Sequence, residues 1–239
     1  MPVQEMLVLA VTHMLGGVCV AGMTTVPHPM TGLRWIRPVR EHGHVLLGDI
    51  TNPQGAVIRP FDVVTFNLLR THPAPPHVED WLADFSRPRV SIVRRLEGER
   101  RIRFLQQHQD LAPADVLDGQ ARSLCLIRPD WIQGACHLDT YSDKLDARIG
   151  FGLDERHYLG AHGGLPVTDV KWRAFARSWA AECGGSVEFT TGDLRTRLGM
   201  HQLVLAIGLS RPHRGACWPM VIGVHTVPDY DHAVDYHNL

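Results

Sequence analysis

The chain has 239 residues, of which 44% are hydrophobic, and its formal net charge at pH 7 is −1. This hydrophobic fraction is typical of a packed core and excludes a wholly disordered protein. The near-zero net charge excludes a protein that attracts polyanions through its overall charge. No run of about 18 apolar residues is present, so the sequence predicts no membrane span and no membrane partner.

The five cysteines are widely spaced and include no Cys-x-x-Cys pair. In a chain of this length, an odd and scattered set of cysteines does not predict a disulfide framework. The N-terminal segment lacks the basic start of a signal peptide, because Glu5 lies where a positive charge is expected. These observations predict a protein of the reducing cytoplasm.

Short apolar and alternating segments in the first half of the chain predict β-strands. The first two form a hairpin across Gly16 and Gly17. A proline-containing connector at residues 72–77 is expected to be extended, and a short helix is predicted at residues 78–85. The predicted strands of this half comprise residues 6–12, 18–22, 33–38, 61–69 and 89–93.

Two helices are predicted next, at residues 99–109 and 115–122, and the clearest helix of the chain spans residues 169–183. In that helix Trp172, Phe175 and Trp179 recur at helical spacing, and Thr168 or Asp169 is placed to cap its N-terminus. The predicted strands of the second half comprise residues 123–129, 148–151, 155–159, 187–190, 203–209 and 218–227.

Short strands at close intervals with few helices predict a mainly β or α+β fold, built as two small barrels in tandem. We assign residues 1–97 to the first barrel and residues 98–122 to a helical connector. Residues 123–239 are assigned to the second barrel, into which the helix at residues 169–183 is inserted.

Several segments occur in one order through nearly the whole chain. They are residues 18–22, 34–39, 76–82, 167–169 and 203–210, together with Lys144, Arg148, Phe151 and Tyr158. Together they resemble the dual-OB-containing domain family of prokaryotes. The resemblance implies two OB folds, which are five-stranded, partly open barrels that commonly bind single-stranded nucleic acid or oligosaccharide. It implies no particular reaction.

The first hypothesis for function is a protein that binds nucleic acid or a nucleotide, in DNA repair, RNA handling or defence. Trp35 and Arg37 lie two residues apart on a predicted strand and offer a stacking ring and a phosphate-binding guanidinium. The alternative is that Trp35 belongs to the core and Arg37 pairs with a carboxylate. The arginine-rich segment 87–103 is either a phosphate-binding patch or a solvated helix face. The predicted nucleic-acid-binding set comprises Trp35, Arg37, Arg59, Arg94, Arg95, Arg128, Trp131 and Arg148.

The second hypothesis is an enzyme that acts on a nucleotide or a nucleotide-derived molecule in a pocket between the two halves. Its polar groups would be Lys144, His157, Tyr158, Thr168 and Asp169. No motif in the sequence dictates a reaction or identifies catalytic residues, so a binding protein is favoured over an enzyme. The third hypothesis is an adaptor that docks a protein partner on an exposed apolar surface.

The fifteen histidines do not predict a metal site. The closest pairs, such as His42 and His44, have no third ligand at a characteristic spacing, and no His-Glu-x-x-His motif is present. We therefore predict neither a metal nor another cofactor.

Overall fold

The computed structural model of the protein describes residues 3–14, 16–27, 32, 34–86, 89–139 and 141–236. The start of the predicted strand at residue 33, and residues 87–88 of the arginine-rich segment, lie outside the described residues. The chain separates into two compact units, Met1–Cys125 and Leu126–Leu239. Strands account for 46% of the chain and helices for 17%, which confirms the mainly β prediction.

The first unit contains a closed ring of five strands. Around the ring the strand order is β1-β2-β3-β5-β4, and β4 pairs with β1 to close it. The β3–β5 pair is parallel, whereas the other four pairs are antiparallel. A five-stranded barrel of this kind is the OB fold. The five strands are β1 Val3–Met14, β2 Gly17–Thr24, β3 Trp35–Val39, β4 Asp62–Thr71 and β5 Asp80–Asp84.

Strand β5 lies where the sequence predicts a helix, at residues 78–85, and that prediction is wrong. The strand pairs with β3 so that Asp80 stands opposite Arg37, and the two side chains form a buried ion pair of 2.7 Å. Leu82 of the same strand is buried in the core. These contacts come from a distant strand, and such contacts regularly override the weak local preference of a short segment.

Further elements of the first unit lie outside the ring. Strand β6, Ser91–Arg95, pairs with β4. A short 3₁₀ helix, Leu47–Ile50, lies between β3 and β4. Helices α1, Gly98–Gln107, and α2, Ala114–Leu117, confirm the two predicted helices, although α2 is shorter than expected. The role of residues 98–122 as a connector remains a prediction.

The second unit contains two sheets. One has the order β10-β9-β8-β12, with β11 also paired to β9, and the other has the order β14-β13-β7. Val167, which directly follows β11, forms a parallel β-bridge with Val221 of β14, and this bridge connects the two sheets. The strands are β7 Leu124–Ile127, whose first two residues belong to the first unit, β8 Trp131–Asp139, β9 Lys144–Leu153, β10 Arg156–Tyr158, β11 Leu165–Pro166, β12 Ser186–Thr190, β13 Gln202–Leu209 and β14 Pro219–Val227.

Two helices complete the second unit. The predicted long helix is confirmed as α3, Val170–Glu182, and its aromatic face packs on Phe189 of β12. The backbone N–H groups of Lys171 and Trp172 donate to the carboxylate of Asp169, which caps the helix. Helix α4, Thr191–Leu198, was not predicted, and Thr190 caps it.

Candidate nucleic-acid interface

Trp35 and Arg37 do not form an exposed binding face. Trp35 is only 4% exposed and Arg37 only 5%. The guanidinium of Arg37 donates through Nε to Oδ1 of Asp80 at 2.7 Å. Because a ligand cannot reach either side chain in this arrangement, the alternative interpretation applies, in which Trp35 is a core residue and Arg37 pairs with a carboxylate.

Most of the other predicted arginines are engaged with carboxylates. Arg94 and Arg95 of β6 pair with Glu5 and Asp62, and Arg148 of β9 pairs with Asp146. Arg59 is exposed in the loop before β4. The pairs of Arg94 and Arg148 are exposed and therefore weak, so they do not exclude phosphate binding, whereas the partner of Arg95, Asp62, is buried.

The residues proposed for an enzymatic pocket do not come together. Lys144 begins β9 opposite Asp139, whereas His157 pairs with Gly152 near the other end of the same strand. Eight residues of extended chain separate these two positions by about 25 Å. Tyr158 stacks on Phe151, with ring centroids 5.0 Å apart. The set therefore does not form a single constellation.

Thr168 and Asp169 lie at the N-terminus of α3, and Asp169 is buried. Its carboxylate accepts hydrogen bonds from the backbone N–H groups of Lys171, Trp172 and Val224. Burial raises the pKa of Asp169 to about 6, while these three hydrogen bonds act in the opposite direction. The contacts give Asp169 a structural role, because they fasten the helix to β14.

Arg128 and Trp131, in contrast, line one small pocket of the second unit, with a volume of about 80 Å³. Arg195, His201 and Gln202 also line this pocket, which we call the Arg128 pocket. Arg128 and Trp131 flank the turn between β7 and β8, Arg195 lies on α4, and the other two residues stand where the chain enters β13. Two of the predicted residues are thus brought together with three that were not predicted.

The two arginines of the Arg128 pocket have no ion pair or side-chain hydrogen bond with any residue that the structure describes. Elsewhere in this unit, Arg177 pairs with Asp143, and Arg197 pairs with Glu182. Asp130 also lines the pocket, and its carboxylate accepts the backbone N–H of Asp154 at 3.1 Å. Arginines without a carboxylate partner that line a concave surface are suited to hold an anion.

Gln202 also lines this pocket, and its side-chain amide is buried. The residue is only 8% exposed, and its Nε2 has no hydrogen-bond partner. A buried amide N–H without an acceptor costs about 1–3 kcal/mol. The Nε2 atom is out of reach of solvent, so a ligand could accept its hydrogen bond only after the side chain of Gln202 had moved.

The indole of Trp131 is positioned by a glycine on the neighbouring strand. Trp131 stands opposite Gly152 in the β8–β9 pair, and a Cβ at residue 152 would lie 2.2 Å from the indole Nε1. The missing side chain therefore leaves room for the ring to lie against β9. The half-buried ring also contacts His157, edge to face, with centroids 5.2 Å apart.

We expect Gly152→Ala to displace the Trp131 ring and to weaken ligand binding at the Arg128 pocket without a change in charge. Gly152 does not have a positive φ, so the effect is steric. The measurements are the near-UV circular dichroism of the protein and its affinity for an oligonucleotide. Gly48→Ala is the matched control, because a Cβ there meets open space. An unchanged near-UV spectrum in Gly152→Ala would contradict the proposed positioning.

A compositional signal in the sequence points to the unpredicted residues Arg195, His201 and Gln202. No Asp or Glu occurs between Asp193 and Asp229, although this stretch contains four arginines, Arg195, Arg197, Arg211 and Arg214. The net charge of the second half as a whole does not reveal this basic stretch, because the acidic residues on both sides of it offset its positive charge.

The described residues offer neither a membrane-spanning helix nor a cluster of metal ligands. Within these residues no helix is both long and apolar enough to cross a membrane. The same part of the chain contains no group of three or more His, Cys, Asp or Glu side chains placed to hold a metal ion.

Comparison with protein families gives a match to the dual OB-containing domain over residues 4–224. Comparison with curated proteins and with solved structures gave no match. The family match covers nearly the whole chain and agrees with the closed five-stranded ring of the first unit. The chain therefore belongs to the dual OB-containing domain family.

Proposed function

We propose that this protein binds single-stranded nucleic acid through its second unit, with a phosphate in the Arg128 pocket and a neighbouring base against Trp131. The observation that supports this most strongly is that two arginines without a carboxylate partner among the described residues line a single pocket beside Trp131. OB folds commonly combine basic grooves with aromatic rings on which bases stack.

The size and charge of the pocket favour a single strand. A volume of about 80 Å³ suits a group the size of a phosphate and is too small for a duplex. In a single strand the base next to a bound phosphate is free to turn onto an aromatic ring. The net charge of −1 indicates that affinity arises from these local contacts and not from the field of the whole protein.

Fluorescence anisotropy with labelled single-stranded DNA and RNA, at several salt concentrations, tests this proposal. We expect salt-dependent binding by the wild type. Arg128→Gln and Arg195→Gln should each weaken binding roughly tenfold, because each removes one charge-assisted contact. Each should also reduce the slope of log affinity against log salt by about 0.7.

Arg197→Gln is the matched control for Arg195→Gln. Both arginines lie on α4, but Arg197 pairs with Glu182 and does not line the pocket. Equal losses of affinity in the two variants would show a general charge effect and contradict the pocket. Absence of salt-dependent binding by the wild type to either DNA or RNA would overturn the proposed function.

A further inference from the structure

The loop between β13 and β14, residues 210–218, carries an exposed tryptophan. Trp218 is 59% exposed, whereas Trp35, Trp172 and Trp179 are buried. Tryptophan is among the residues that are most buried on average, since its large ring loses contact with water when it packs in a core. An indole held this far in solvent therefore requires an explanation beyond the folding of this unit.

The backbone holds this loop in a fixed shape. Ser210 and Trp218 are joined by two hydrogen bonds, one from the N–H of Ser210 to the carbonyl of Trp218 at 2.8 Å and one from the N–H of Trp218 to the hydroxyl of Ser210 at 2.9 Å. Arg214 and Gly215 both have positive φ, 52° and 80°, as in a type I′ turn. The backbone at Trp218 is thus held in place before any ligand arrives, which lowers the entropic cost of binding.

The charged residues of the loop that carries Trp218 are all basic. Arg211, His213 and Arg214 are exposed on the same loop, which lies within the acid-free stretch between Asp193 and Asp229. The side chain of Arg214 has no ion pair with any described residue. An exposed ring beside the guanidinium of Arg214 is complementary to a ligand that presents both a π-face and negative charge.

From these features we propose that the β13–β14 loop is a second contact for single-stranded nucleic acid, in which Trp218 stacks on a base and Arg214 holds an adjacent phosphate. This inference rests on the proposed function and extends it to a site separate from the Arg128 pocket. A single strand supplies the π-face and the phosphate in every nucleotide, so one ligand satisfies both groups of the loop.

An abasic oligonucleotide separates stacking from charge attraction in the test. The probes are a labelled single-stranded oligothymidylate and an abasic strand of the same length, and the measurement is fluorescence anisotropy. We expect Trp218→Ala to weaken binding to the oligothymidylate roughly tenfold or more. Binding to the abasic strand should be unchanged by this substitution, and Trp218→Phe should retain most of the affinity.

Tyr141→Ala is the matched control for an exposed ring. Tyr141 is 99% exposed in the same unit, but it lies between Asp139 and Asp143. We expect this variant to bind both strands like the wild type. Because Trp218 contributes little to the core, the thermal midpoint of Trp218→Ala should equal that of the wild type, which tests whether the variant is folded.

Comparison of the wild type with Trp218→Ala distinguishes a failure of the loop contact from a failure of the proposed function. If the wild type binds the oligothymidylate and Trp218→Ala binds it equally well, the loop contact is overturned while the proposed function stands. If Trp218→Ala weakens binding to the abasic strand as much as to the base-bearing strand, stacking is overturned. If the wild type binds neither single-stranded DNA nor single-stranded RNA, both proposals fail.

Discussion

Arg37→Ala is expected to lower the free energy of unfolding by about 3–5 kcal/mol, the usual effect of removing one member of a buried ion pair. The guanidinium and the carboxylate of Asp80 are both buried, and they join β3 to β5 at the pair of strands that runs parallel. Removal of the cation leaves the buried carboxylate of Asp80 without the salt bridge that offsets its desolvation.

Urea unfolding measures this effect, and two further variants make the result specific. Arg94→Ala removes an exposed pair with Glu5, and we expect a change of no more than about 1 kcal/mol. The double variant Arg37→Met, Asp80→Leu should recover part of the lost stability, since no charge is then buried. If Arg37→Ala retained wild-type stability but lost affinity for oligonucleotides, Arg37 would be a binding residue and the structural assignment would be wrong.

Glu79→Ala is expected to lower the free energy of unfolding by a similar amount, about 3 kcal/mol or more. The buried carboxylate of Glu79 accepts hydrogen bonds from the backbone N–H groups of Ser123 and Leu124, at 2.9 and 3.1 Å, and from the hydroxyl of Ser123 at 2.8 Å. Alanine leaves three buried donors without an acceptor, and each such donor costs about 1–3 kcal/mol.

Glu79→Gln is the matched comparison for this prediction. Its amide oxygen still accepts the two backbone N–H groups, and its amide nitrogen can donate to the hydroxyl of Ser123. We therefore expect a loss of only about 1 kcal/mol, measured by the same urea titration. Equal losses in the two variants would show that the hydrogen bonds of the carboxylate do not determine the effect.

Residues with local, periodic signals were predicted well from the sequence. The helix containing Trp172, Phe175 and Trp179 was found because its apolar spacing is local. Strand β5 was missed because its burial depends on Arg37, which pairs with Asp80 across 43 residues. Strand β8 was missed for a related reason. Gly134 in its middle gives no local signal for a strand, and the space beside this glycine is filled by Phe189, which is distant in the sequence.

The candidate site was predictable in part. Arg128 and Trp131 were identified because they stand close together in the sequence and combine a ring with a cation. Sequence alone does not distinguish Arg128 from Arg37, since the difference is a carboxylate on a neighbouring strand. The capping signal of α4, Thr190 followed by Asp193, is present in the sequence, but the helix that carries Arg195 is short and has no strong apolar period.

The closed ring of the first unit also determines how fast this unit folds. Strand β1 meets β4 with Leu7 opposite Val63, and β3 meets β5 with Arg37 opposite Asp80. To close the ring, long stretches of chain must first lose conformational entropy, and the strand pairings compensate for this loss only once they have formed. Domains dominated by such distant pairings fold in about milliseconds to seconds, not in microseconds. Stopped-flow refolding of the protein should therefore show no folding phase of this unit in the microsecond range.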